Sequence, residues 1–321
     1  MIDTIKLLLL PKQIKCTWDI KKITTKLNVF DKFHRKGIKP IGYIGKGFAV
    51  FGNNNFIIIE GSLTKYFLDN NIENFDWKFV KVALRMLSQE IGLPIERGKV
   101  LRLDIAYNFQ LNEPVINYFP ELKHLWFFQR IDNRKTTLRF MRNDDNVNVL
   151  FYDKLNQAKK LIKDESLAIL ANTDSLIRYE VQIQHMPSKV FGFTNIRVFD
   201  LWRPFVQSLL LDYWFKLYQD IEKKAVLVFP KSMKGRKSID KFVMRYFIEN
   251  LGWVEIKSMF DLAQKNGSLT HDDKSKKIKM YRKIMSNNET FEFKNITKEL
   301  NFKIESEYLN QQVKIKKLKN H

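Results

Sequence analysis

"KVLRLDIAYNF" (Lys99–Phe109) alternates in character along its length. Leu101, Leu103, Ile105, Tyr107 and Phe109 form one set, and Arg102, Asp104 and Asn108 belong to the other. A strand turns successive side chains to opposite faces, so the segment reads as a strand with an apolar face and a polar face that carries an acid. "SLIRYEVQIQH" (Ser175–His185) sorts the same way: Tyr179, Val181 and Ile183 stand against Arg178, Glu180, Gln182 and Gln184, with Leu176 an apolar residue on the polar side. "NVNVLFYDKLNQAKK" (Asn146–Lys160) alternates as far as Tyr152–Asp153–Lys154 and is then spaced like a helix, with Leu150, Tyr152 and Lys154 on one face. "NFIIIE" closes a run of isoleucines on Glu60.

Alternation alone fits a sheet with one face on helices and the other in water. It does not explain why single acids recur inside strong strands of an acid-poor chain. Carboxylates converging on one sheet face repel unless a cation lies between them, and oxygen ligands favour Mg2+ or Mn2+. A tyrosine beside such a cation would have a polarised phosphate to attack.

Lys and Arg number 56 against 35 Asp and Glu, a formal charge of +21. That excess points to a polyanionic partner, nucleic acid first; an AT-rich genome, rich in Lys and Asn codons, is the plainer source of it. A 45% hydrophobic content with 13% aromatics supports a sizeable core and argues against wholesale disorder. The one cysteine, Cys16, rules out an intramolecular disulfide or a zinc knuckle, which suits a reducing cytoplasm. "MIDTIKLLLLP" carries Asp3 and Lys6 and stops at Pro11, too short for a membrane span, so a buried first strand and a cytoplasmic protein are expected.

"YIGKGFAVFGNNNFIIIEGS" reads as two strands ending in a helix cap at Ser62, and "DWKFVKVALRMLSQEI" as an amphipathic helix stopped by Gly92. A hairpin is expected to turn at Asn143–Asn146. After about Gly192 the pattern becomes helical: an aromatic-rich stretch interrupted at Pro204, basic helices around Arg236–Arg245 and Lys274–Lys283, and a short cationic tail. The expected fold is α+β, a mostly antiparallel sheet with helices on one face, in a domain of residues 1–193, followed by a helical basic region, 194–321.

These segments resemble, in order, the filamentous-phage gene II replication initiators, a family of phage and plasmid rolling-circle replication proteins. "FIIIEGSLTKYF" is similar to that family's acidic strand and helix, "RLDIAYNF" to its Arg-hydrophobe-Asp strand, "LFYDKLNQ" to its Tyr-x-Lys strand end, "LIRYEVQIQ" to its Arg-aromatic-Glu strand, and "KIKMYRKIMSN" to its late basic helix. The start "MIDTIKLLLLP" resembles the family's as well, and order and spacing agree from residue 1 to about 285. The resemblance implies a rolling-circle, nuclease-like fold and an endonuclease that nicks one DNA strand at an origin. A tyrosine would keep the 5′ phosphate covalently and free a 3′-OH for a host polymerase, with a host helicase as a further partner.

On that resemblance Tyr152 is the nucleophile, and Glu60, Asp104 and Glu180 are the metal-holding acids. No two of the five histidines lie two residues apart, so the His-hydrophobe-His motif of related initiators is absent. Lys154 is expected to favour the phenolate, steady phosphate charge or protonate the leaving oxygen. Arg102 and Arg178 either grip the scissile phosphate or neutralise the carboxylates. Lys65, just after the Ser62 cap, is either a phosphate ligand or a solvated lysine. Arg236, Lys276, Lys277 and Arg282 are the candidate DNA-binding cations of the later helices, against the plain reading of solvated helix faces. His185 is a weaker candidate ligand, and Tyr179 and Tyr107 are expected in the core. The competing function is a non-catalytic origin-binding or repressor protein on a degenerate nuclease scaffold.

Overall fold

The computed structural model describes residues 2–28, 41–45, 47–133, 136–142, 144, 146–161, 175–224, 226–227, 236–286, 293–294 and 296–318. Ten strands matter here: β1 Ile2–Leu9, β2 Gly42–Ile44, β3 Phe48–Gly52, β4 Ile57–Ser62, β5 Lys99–Gln110, β6 Leu122–His124, β7 Phe128–Asn133, β8 Thr137–Arg142, β9 Val147–Asp153 and β10 Leu176–Ile183. All but β6 join one nine-stranded sheet in the order β2-β3-β4-β1-β5-β10-β9-β8-β7, and each neighbouring pair is antiparallel. The expected antiparallel sheet is therefore present. The segment read as two strands forms three, β2 to β4. The β8–β9 hairpin stands where expected, although Asn143 and Asp145 of its turn lie outside the described residues.

The apolar face follows the predicted parity. Leu103, Ile105, Tyr107 and Phe109 of β5 and Ile177, Tyr179, Val181 and Ile183 of β10 are buried in the main core. The helix Pro204–Gln219 lies against that face: the Trp214 ring packs 4.8 Å from Tyr179 and 5.3 Å from Tyr107, and the Tyr179 hydroxyl donates to the Trp214 carbonyl. The helix Trp77–Ile91 buries Val80, Leu84, Leu87 and Ile91. Asp76 caps its start, and Gly92, at φ 73°, ends it in a left-handed conformation that costs glycine little. Leu176, the apolar residue on the polar side, packs with Leu155, Ala158 and Ile72 in a small separate cluster.

The chain divides into two compact units, Met1–Lys224 with Ile296–His321, and Ala225–Asn295. The break expected near residue 193 does not coincide with this division. Helix Pro204–Gln219 is needed to cover the sheet, and a 22-residue helix, Thr297–Leu318, returns to add Leu300, Ile304 and Ile315 to the same core. The tail expected as a short cationic run is mostly the end of that helix.

The second unit contains the helices Arg236–Leu251, Trp253–Lys265 and His271–Ser286 around Ile248, Ile256, Tyr281 and Ile284. Among the described residues, no helix is long and apolar enough to cross a membrane.

Candidate active site

The polar face of the sheet is not open to water as simple alternation would have it. Asp104, Asn108, Arg178 and Glu180 are all buried. Register builds the site in rows across the strands. Asn108, Arg178, Tyr152 and Thr137 form one row, and Ala106, Glu180, Leu150 and Arg139 the next. Asp104, Gln182 and Asn148 form a third. A cleft of about 610 Å3 opens over these rows, with Tyr152, Glu180, Asp104, Lys65 and Arg139 in its wall.

The Tyr152 hydroxyl donates to Glu180 Oε2 at 3.0 Å. The same oxygen accepts from Arg178 Nε at 3.0 Å, while Gln182 Nε2 donates to Glu180 Oε1 at 2.6 Å. Arg178 Nη2 also pairs with Asp3 at 2.7 Å, so one buried guanidinium serves two carboxylates. Asp104 is held bidentately by Arg102, at 3.0 Å from Nε and 2.6 Å from Nη2. Both arginines thus neutralise acids, one of their two expected roles. The cleft cations without an ion pair among the described residues are Lys65 and Arg139.

Burial lifts the Tyr152 phenol well above its ordinary value, and Glu180 and Asp3 reinforce the rise against the pull of Arg178. Burial thus opposes the phenolate that Lys154 was expected to favour. Lys154 leaves the strand: β9 ends at Asp153 and Lys154 opens the helix Lys154–Leu161. Its ammonium is buried, donates to Gln157 Oε1 at 3.0 Å and lies 5.8 Å from the Tyr152 ring centre. Burial, with Arg178 adding repulsion, lowers the Lys154 amine to about 7. Burial raises the Asp104 carboxyl to about 8, opposed by Arg102 and reinforced by Glu180.

A lysine depressed in the folded state gives stability that is present above its unfolded pKa and lost as pH falls towards the folded one. Wild-type protein is therefore expected to lose stability from about pH 10 to about pH 7 through Lys154, and Lys154→Met to show a flatter melting profile over that window. Equal slopes for the two proteins in thermal melts would refute this.

The expected acids are only partly brought together. Asp104 and Glu180 share the cleft, but Glu60 lies on β4, separated from Asp104 by β1. Its carboxylate is taken up by Lys6 at 3.0 Å and Arg102 at 3.6 Å. Among the described residues no three His, Cys, Asp or Glu side chains stand close enough to hold a metal ion together. The expected three-carboxylate centre does not fit this arrangement. Both oxygens of Asp104 are taken by Arg102, and both of Glu180 by Tyr152, Arg178 and Gln182.

Asp3 is the residue the sequence reading missed. It accepts from Ser62 Oγ at 2.9 Å, and Ser62 in turn caps the helix that carries Lys65. Strict parity would assign Asp3 to the apolar set of Ile5 and Leu7. A register shift between Ile2 and Ile5 in the β1–β5 ladder breaks the alternation and turns Asp3 towards the polar face. Arg139, in the row of Glu180, was also missed, although its alternation with Leu138 and Phe140 was readable. His185 is exposed beyond the end of β10, and Tyr107 and Tyr179 belong to the apolar core.

In the second unit, Lys276, Lys277 and Arg282 are exposed on the helix His271–Ser286, whose Tyr281 and Ile284 face that unit's core. Arg236 begins its helix, and its side chain lies outside the described residues. No protein-family model matches the chain, and no curated protein matches it either.

Proposed function

We propose that the chain is a DNA nickase and strand transferase of the rolling-circle type, with Tyr152 as nucleophile. The observation that carries this reading is the hydrogen bond from the Tyr152 hydroxyl to Glu180, in a cleft whose wall also holds Lys65 and Arg139, which form no ion pair among the described residues. A phenol raised by burial is a poor nucleophile at rest, so its proton must leave as it attacks. Glu180 takes that proton while Tyr152 Oη bonds to phosphorus and the bond from phosphorus to the 3′ oxygen breaks. The departing 3′ oxygen takes up a proton, for which Lys154, its amine lowered to about 7 and 5.8 Å from the Tyr152 ring centre, is the proposed source. Lys65 and Arg139 hold the phosphate charge. Mg2+ or Mn2+ held by Asp104 and Glu180 would have to displace Arg102 and Arg178 and would then polarise the same phosphate.

Supercoiled DNA containing the cognate origin, incubated with the protein with and without Mg2+ or Mn2+, should be nicked and leave protein attached to the 5′ end on a denaturing gel. Intact DNA under every condition would overturn the reading. The second reading, a DNA-binding protein without chemistry, draws on the raised Tyr152 phenol and predicts binding with no adduct at any pH.

The exposed cations of the helix His271–Ser286 carry a separate prediction. Log affinity for duplex DNA should fall linearly with log salt, and replacing both Lys276 and Lys277 by alanine should make the slope shallower by about 2. An unchanged slope in a salt titration would remove that helix from the DNA-binding surface.

A further inference from the structure

A second aromatic site stands away from the cleft, in the turn between β6 and β7. Phe128 N–H donates to the Leu125 carbonyl at 3.0 Å, closing a β-turn with Trp126 and Phe127 at its centre. Phe127 has φ 67°, the third-position conformation that normally calls for glycine or asparagine. The two rings are nevertheless 72% and 79% exposed. The turn is firmly seated: Leu125 is buried, Phe128 packs against the main core, and His124 meets the Trp126 ring edge-on at 5.2 Å. An unfavourable backbone state that holds a large apolar ring in water gains nothing for the fold, and such strain concentrates at functional positions.

A recess of about 560 Å3 adjoins the turn, with Tyr213, Arg142, Lys216 and Asp220 in its wall. Arg142 is neutralised by Asp144, whereas Lys216 forms no ion pair among the described residues. We infer that Trp126 and Phe127 form a stacking platform for unpaired bases of single-stranded nucleic acid, with Lys216 facing the backbone phosphates. Flat aromatic faces accept any base, and the chain's charge of +21 complements a polyanion. The inference rests on the nucleic-acid part of the proposed function and not on its cleavage chemistry.

The test compares full-length protein binding to a labelled oligothymidylate of about twenty nucleotides with binding to a strand of equal length and charge that lacks bases. Wild type should prefer the base-bearing strand by roughly tenfold or more, and Trp126→Ala and Phe127→Gly should each remove most of that preference. Phe127→Gly should also melt no lower than wild type, because glycine relieves the positive φ; a purely structural phenylalanine would give the opposite result. Equal binding of the two strands by wild type would overturn the inference. So would unchanged preference in both variants, or variants that keep it while losing binding to phosphatidylserine vesicles. Adduct formation at Tyr152 is read in a different assay, so failure of the cleavage reading and failure of this one are separable.

Discussion

Tyr152→Phe is expected to abolish the covalent protein–DNA adduct while leaving folding and DNA affinity nearly intact. The substitution removes one oxygen and keeps the ring, which lines the cleft beside Glu180. Glu180 retains its bonds from Arg178 and Gln182, so no buried carboxylate is stranded. The stability cost should be that of a single hydrogen bond, about 1 kcal/mol. A nucleophile has no substitute, so the loss of adduct should be complete on a denaturing gel even at long incubation. Adduct formed by Tyr152→Phe would show that a different residue attacks. Tyr107 and Tyr179 could not readily take that part, since both lie on the apolar face under Trp214.

Arg178→Met should have the largest effect on stability. Arg178 is 3% exposed and pairs with both Asp3 and Glu180. Removing it leaves two buried carboxylates without their cation, and breaking a buried pair in this way costs about 3–5 kcal/mol. In a unit of this size the melting temperature should fall on the order of 10 °C.

The pH dependence identifies the cause. In the wild type, burial pushes the Asp3 carboxyl up, but Arg178, Ser62 and Lys154 outweigh it and hold it below the ordinary value. Asp3 therefore contributes stability above its unfolded pKa, and that contribution is lost as pH falls through the folded one. Without Arg178 the raising influence of burial loses its largest opponent, so the variant's deficit should shrink as the solution is acidified. A deficit that stayed constant down to about pH 4 would point to lost packing rather than to stranded charge.

Much of the site was legible because strand alternation is a local property. The two-residue period in Lys99–Phe109 and Ser175–His185 put Asp104, Arg178 and Glu180 on one face before any fold was known. Parity in Asn146–Asp153 added Tyr152. The helix Trp77–Ile91 was equally clear, because its apolar spacing, its Asp76 cap and its Gly92 stop all lie within the segment itself. The same local reasoning misjudged Lys154, since parity holds only while the chain remains a strand, and here it turns into a helix at that residue.

What the chain's own order determined, then, is which side chains share a face. Which faces meet was decided by strand order and by irregularities in the ladders, both of which depend on distant segments. The insertion of β1 between β4 and β5 sets Glu60 against Lys6 and Arg102 and away from Glu180. A register shift in β1 brings Asp3 to Arg178, where unbroken alternation would have sent it into the apolar core. Burial of the polar face raises the Tyr152 phenol and depresses the Lys154 amine, and burial is the joint result of packing from many parts of the chain. The return of Thr297–Leu318 to the sheet is of the same kind: its apolar residues show that it packs, and only the assembled core shows against what.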